Sequence, residues 1–121
     1  MSKAINVLHQ NNISNYNTEK CYLEFQHRNI DQSYSKYNED FTWHKDDKQI
    51  IGCPVYTVIF YLKKDNTVTG GNFAYVIDNK KHEHEVKTKD IICFSGHIEH
   101  MPTALKGCGD RNSIVVFIER T

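Results

Sequence analysis

A mainly β domain of the sandwich or jelly-roll type, with little helix, is the fold this sequence predicts. Three observations carry that expectation. Its apolar residues come in short runs rich in β-branched and aromatic types, and no long stretch has clean helical spacing. Clusters of Gly, Pro, Asn, Asp and Lys punctuate the runs at short intervals. About eight such runs at this spacing are the pattern of an all-β barrel or sandwich.

In chain order the expected strands are Ala4–Leu8, Cys21–His27, Phe41–Lys45, Val55–Leu62, Asn72–Ile77, Glu83–Val86, Ile91–Phe94 and Ser113–Ile118. The polar, asparagine-rich stretch Gln10–Asn17 reads as a loop. Turns are expected at Ser33–Asp40, Gly52-Cys53-Pro54, Lys63–Asn66, Gly70-Gly71, Asp78–Lys81 and Gly107–Asp110. Val55–Leu62 and Ile114–Ile118 are nearly continuous apolar runs, which places them centrally, buried on both faces.

A chain of 121 residues suits one domain with one hydrophobic core, so residues 1–121 are expected to form a single domain. Hydrophobic residues at 39% and aromatic residues at 12% of the chain are ordinary for a water-soluble protein. With 15 basic and 15 acidic residues there is no net field to gather nucleic acid or an anionic membrane, which disfavours both as partners. No apolar run has the length of a bilayer span or the form of a secretory signal, so a cytoplasmic, reducing compartment is expected. Cys21, Cys53, Cys93 and Cys108 form no C-x-x-C pair, which leaves a structural zinc site without support. They read as packing residues or surface thiols rather than disulfides.

The chemistry-bearing residues are His44-x-Asp46, a later histidine, and Arg111-x-Ser113. Two imidazoles and one carboxylate form the ligand set of an open-faced Fe(II) site, which keeps coordination positions free for a chelating cosubstrate and O2. Residues two apart on a strand share a face, so His44 and Asp46 could hold one metal. Lys45-Asp46-Asp47-Lys48 equally suits a solvated charged turn after a strand. Alternation places Arg111, Ser113, Val115 and Phe117 on one face. An arginine there either pairs with an anion or sits at the strand mouth. The later histidine is His97 or His100. His82-Glu83-His84-Glu85 is a rival, cupin-like pattern, but its lysine-rich flanks favour a solvated hairpin.

From His44 onward the order of motifs resembles the 2-oxoglutarate- and Fe(II)-dependent dioxygenase superfamily, especially its prolyl-hydroxylase-like branch. Trp43-His44-Lys45-Asp46 resembles the first ligand motif, and Tyr56 through Asp65 the strand with an aromatic-Tyr-Leu step. Gly70-Gly71-Asn72-Phe73 resembles the double-glycine turn, and Asp90 through Pro102 the strand leading to the distal histidine. Gly109-Asp110-Arg111-Asn112-Ser113 resembles the closing Arg-x-Ser.

The resemblance implies a double-stranded β-helix (jelly-roll) barrel. It implies His44, Asp46 and His100 as iron ligands, with Arg111 binding the distal carboxylate of 2-oxoglutarate and Tyr61 and Ser113 donating hydrogen bonds to it. The implied cofactors are Fe(II), 2-oxoglutarate and O2, with ascorbate as a candidate accessory reductant. The reaction expected is hydroxylation of a C–H bond, with succinate and CO2 as co-products, on a protein or peptide side chain and proline first. A small-molecule hydroxylase of the same superfamily and a non-catalytic jelly-roll binding module are the alternatives. Alkylation-repair members usually carry a second arginine six residues after the first, where this chain has Phe117. Trp43, Asn72 and Tyr75 suit the cavity mouth, and core or rim packing explains them equally well. The family's backing helices have no evident counterpart in the N-terminal region, so a minimal barrel, or two copies covering the exposed sheet of each other, is expected.

Overall fold

Residues 1–30 and 42–121 are described in this computed structural model. They form one helix, α1 (Ser2–Gln10), and nine strands: β1 (Tyr16–Ile30), β2 (Val55–Lys64), β3 (Val68–Gly70), β4 (Phe73–Ile77), β5 (Lys80–His84), β6 (Ile91–Ser95), β7 (His100–Pro102), β8 (Leu105–Gly107) and β9 (Gly109–Arg120). The two most apolar runs, β2 and β9, lie side by side at the centre of an antiparallel four-stranded sheet ordered β1-β9-β2-β6. A three-stranded sheet, β5-β4-β7, faces it, and β3 pairs with β8. This is the double-stranded β-helix, or jelly-roll, architecture.

Alternation along the central strands separates two environments. Tyr56, Val58, Val116 and Ile118 are buried on the outer face of the large sheet. Thr57, Tyr61, Arg111, Ser113, Val115 and Phe117 are buried on the inner face. Inside, Tyr61 and Phe94 from the large sheet meet Phe73 from the small one. The inner face is therefore the one that carries polar groups into the barrel.

The structure corrects the N-terminal expectation. Ala4–Leu8 is not a strand but part of α1. Ala4, Val7 and Leu8 recur at helical spacing, and all three are buried against Tyr56, Val58, Val116 and Ile118. A five-residue apolar run is too short for periodicity to separate helix from strand. The large sheet is thus backed by a helix of this same chain. The expected loop Gln10–Asn17 ends early, because β1 begins at Tyr16.

Other boundaries move for local reasons. β5 starts at Lys80 rather than Glu83, since Asp78 and Asn79, with φ of 53° and 62°, make a two-residue hairpin turn. β3, β7 and β8 have three residues each, too few to show alternation. The turn expected at Ser33–Asp40, and Phe41, lie outside the described residues. Of the remainder of the expected strand Phe41–Lys45, His44 alone bridges, to His100. Among the described residues no helix is long and apolar enough to cross a membrane. All four cysteines are free thiols.

Leu8 is fully buried under the large sheet. Leu8→Ala is expected to cost about 2–5 kcal/mol, read as a lower urea midpoint with an unchanged slope.

Candidate metal centre

One β-bridge attaches His44 to the barrel. Its N–H donates to the His100 carbonyl at 3.0 Å, and the His100 N–H donates back at 2.9 Å. The two rings come to lie 4.3 Å apart, centroid to centroid. The chain then turns inward, where the N–H groups of Asp46 and Asp47 both donate to the Gly96 carbonyl, at 3.0 and 3.1 Å. A side chain at Gly96 would collide with the Asp47 carboxylate and with Val55. Glycine is what lets the loop approach this closely.

Asp47 clamps that loop. Its carboxylate accepts the Val55 N–H at 2.9 Å and the Arg120 guanidinium at 2.7 Å. Arg120 also donates to the Ser95 hydroxyl and the Val55 carbonyl, at 2.6 and 2.9 Å. Burial pushes the Asp47 carboxyl up, but the bonds from Arg120 and Val55 outweigh it and hold the group below the ordinary range.

Asp46 is 4% exposed. The Thr57 hydroxyl donates to its Oδ2 at 2.7 Å. That bond turns Oδ1 toward the histidines, 3.5 Å from His44 Nε2 and 3.4 Å from His100 Nε2. The other ring nitrogens face backbone carbonyls: His44 Nδ1 meets Thr42 O at 2.7 Å and His100 Nδ1 meets Ile98 O at 2.9 Å. A carbonyl oxygen can only accept, so Nδ1 carries the proton in each ring. In the neutral imidazoles both Nε2 lone pairs then aim at Asp46. Burial raises the Asp46 carboxyl, while positive charge at the His100 and His44 nitrogens and the Thr57 hydroxyl lower it by more, so the carboxylate is held ionised when a cation, proton or metal, sits beside it.

Two lone pairs and a carboxylate oxygen thus converge within 4.8 Å of one another. Acceptors this close repel unless a cation lies among them. The donor set fits a divalent metal such as Fe(II), with the backbone carbonyls acting as outer partners that fix each ring. The His44 side chain is 44% exposed against 6% for His100, so the centre opens on the His44 side.

A cavity of about 270 Å³ runs from this triad to Arg111, and His44, Asp46, His100, Tyr61, Arg111 and Ser113 all line it. Arg111 is 5% exposed. It joins no ion pair among the described residues. Its Nε and the Ser113 hydroxyl are buried without a hydrogen-bond partner. Unsatisfied buried donors are costly, and here they are aimed into a cavity. The residues present therefore fit a carboxylate as well as a metal. Burial pushes the Tyr61 phenol up to about 12, against the opposing pull of Arg111, so it remains a donor at neutral pH. Gly71, with φ of 63°, brings the backbone so near that an added Cβ would sit 3.5 Å from Arg111 Nη1 and overlap Leu105.

The other sequence candidates lie elsewhere. His97 is exposed, paired with the Ser95 hydroxyl at 2.7 Å. His82 stacks on Tyr75, and His84 pairs with Asp90 at 3.1 Å on an exposed strand. Trp43, Asn72 and Tyr75 do not line the cavity. The Lys81 ammonium lies over the Trp43 ring, and Asn72 donates to Glu83. Sequence reasoning passed over Thr57, Gln26 and Arg28, which do line it. Thr57 carried a signal: it is the polar member of an apolar run, in phase with Tyr61.

No protein-family model and no curated protein matches this chain. Solved structures do. A prolyl 4-hydroxylase from Phytophthora capsici superposes with a TM-score of 0.66 at 14% identity, over 100% of this chain and 40% of the other. A prolyl 4-hydroxylase from Pseudomonas putida gives 0.64 at 15% identity, over 100% and 63%. The fold is that of the prolyl 4-hydroxylases. A structure of Fe(II)-HppE with the alternative substrate (S)-1-HPP is also similar, with a TM-score of 0.51 at 16% identity, over 79% of this chain and 41% of the other. The chain spans between 40% and 63% of the length of these structures.

Two outcomes are expected. Thr57→Val frees the Asp46 carboxylate and weakens divalent-metal binding about 10–100-fold, measured by competition with a chelating dye, with little change in melting temperature. The Asp47–Arg120 pair contributes stability that is present above about pH 4 and is lost as pH falls through the depressed Asp47 value. Arg120→Ala therefore moves the acid-unfolding midpoint to higher pH, followed by circular dichroism.

Proposed function

We propose that this protein is an Fe(II)- and 2-oxoglutarate-dependent dioxygenase that hydroxylates a C–H bond, with a protein or peptide side chain as substrate and proline first. One observation carries the reading. A buried carboxylate and two oriented imidazole lone pairs share a single cavity with a buried arginine that joins no ion pair among the described residues. A metal alone would need the triad and not the arginine; a carboxylate-binding pocket alone would need the arginine and not the triad. A chelating oxo-acid uses both.

His44, Asp46 and His100 would hold the metal. Thr57 keeps Asp46 Oδ2 occupied, so that Oδ1 is the ligating atom. Arg111 takes the distal carboxylate of 2-oxoglutarate in a bidentate pair, which offsets the cost of burying its charge. The Ser113 hydroxyl and the protonated Tyr61 phenol donate to the same ligand. Val115, Phe117 and Phe94 form the dry wall beside it. With iron bound, the chemistry supplied is the coupled oxidation by O2 of 2-oxoglutarate to succinate and CO2 and of a substrate C–H to an alcohol. The prolyl preference rests on the fold shared with two prolyl 4-hydroxylases. A small-molecule substrate shares the same centre. Intracellular action on a soluble partner is part of the proposal.

The test is an anaerobic titration with Fe(II) and 2-oxoglutarate, followed by the visible metal-to-ligand charge-transfer band. Wild type is expected to show the band, His44→Ala to lose it, and Arg111→Ala to need at least about tenfold more 2-oxoglutarate. His84→Ala is expected to behave as wild type. Absence of the band in folded wild type would leave the non-catalytic jelly-roll module as the reading.

A further inference from the structure

Strand β1 contributes a second cation to the cavity. Its inward residues Gln26 and Arg28 line the same space as Ser113 and Arg111. Register pairs Gln26 with Ser113 and Arg28 with Arg111. Directly opposed residues on an antiparallel pair have Cβ atoms about 4.5–5.5 Å apart, so the two arginines stand side by side at one end of the cavity. On the other flank of Arg111 stands Lys64, but its ammonium is turned to backbone, donating to the carbonyls of Gly70 and Val86 at 2.9 Å each.

Set directly opposite each other across β1 and β9, the two guanidinium charges repel. Burial, reinforced by the charge of Arg28, pulls the Arg111 guanidinium below its ordinary value. An anion placed between the two reverses the sign of this interaction. A carboxylate has about four lone-pair sites. The fork of one arginine uses two of them in a bidentate pair, leaving acceptor capacity for a second.

We propose that Arg28 and Arg111 together form a two-arginine seat for the distal carboxylate of an oxo-dicarboxylic acid. Arg28 is then a specificity-determining residue, selecting a dicarboxylate over a monocarboxylate cosubstrate. The inference rests on the reading of the site given above, and it adds a residue that neither the ligand motif nor the Arg-x-Ser motif contains.

Calorimetric titration of the Mn(II)-loaded protein tests it with two probes. These are 2-oxoglutarate and 2-oxopentanoate, which has the same chelating end and a methyl group in place of the distal carboxylate. Arg28→Gln is expected to weaken 2-oxoglutarate binding about tenfold or more and to leave 2-oxopentanoate and Mn(II) affinities unchanged. Arg28→Lys is expected to recover part of the loss, and Arg28→Met repeats the test at similar side-chain length should the glutamine variant not fold. Unchanged 2-oxoglutarate affinity in Arg28→Gln, with loss in Arg111→Gln, overturns the two-arginine seat and leaves the cosubstrate reading standing. Equal loss of both probes in Arg28→Gln also overturns it, since the effect is then not on the distal carboxylate. Failure of wild type to bind either probe overturns both.

Discussion

Two backbone carbonyls, those of Thr42 and Ile98, each hold the Nδ1 proton of a histidine, and the character of the site depends on that arrangement. With the proton fixed on the far side of each ring, what faces Asp46 is a lone pair rather than a donor. A carboxylate whose second oxygen is already bound by Thr57 completes the convergence. Rings protonated on Nε2 instead would satisfy the carboxylate with two N–H donors and leave no imidazole lone pair for a cation. The rest of the fold serves to keep these groups apart from water and aimed at one point. Gly96 and the Asp47–Arg120 pair fix where the loop enters the barrel, and the His44–His100 bridge fixes how far it goes.

The central strands do two jobs through their alternation. One face of β2 and β9 gives α1 an apolar floor. The other presents Thr57, Tyr61, Arg111 and Ser113 to the interior. The energetic support and the polar cavity lie on opposite sides of the same two strands, a backbone apart. This allows buried polar groups to be carried without eroding the packing that stabilises them. Among the described residues Arg111 Nε and the Ser113 hydroxyl find no protein partner, and an anion in the cavity would lower the cost of burying them.

Much of this was legible in the sequence. The β class and the central place of Val55–Leu62 and Ile114–Ile118 followed from periodicity, while the choice of His100 over His97 and the places of Tyr61 and Ser113 came from the resemblance to the 2-oxoglutarate- and Fe(II)-dependent dioxygenases. What escaped had a physical reason in each case. The helix α1 was hidden because Ala4, Val7 and Leu8 are too few to reveal a period. The three-residue strands have no alternation to read. Arg28 was invisible as a site residue because its meaning comes from a register with β9 more than eighty positions away. Asp47 and Arg120 look like ordinary surface charges until the fold brings them together. Trp43, Asn72 and Tyr75 suited the mouth or ordinary packing equally well, and the structure has them packing elsewhere: Trp43 under Lys81, Asn72 on Glu83 and Tyr75 on His82.

The attachment of His44 has a kinetic consequence. Of the three converging groups, Asp46 and His100 are embedded in the barrel, whereas His44 hangs from one bridge of two hydrogen bonds and keeps nearly half its side chain in solvent. Opening that bridge is a local event, far less costly than unfolding a sheet. A metal held by the triad would load and leave through that local opening. Occupancy can turn over while the barrel stays shut.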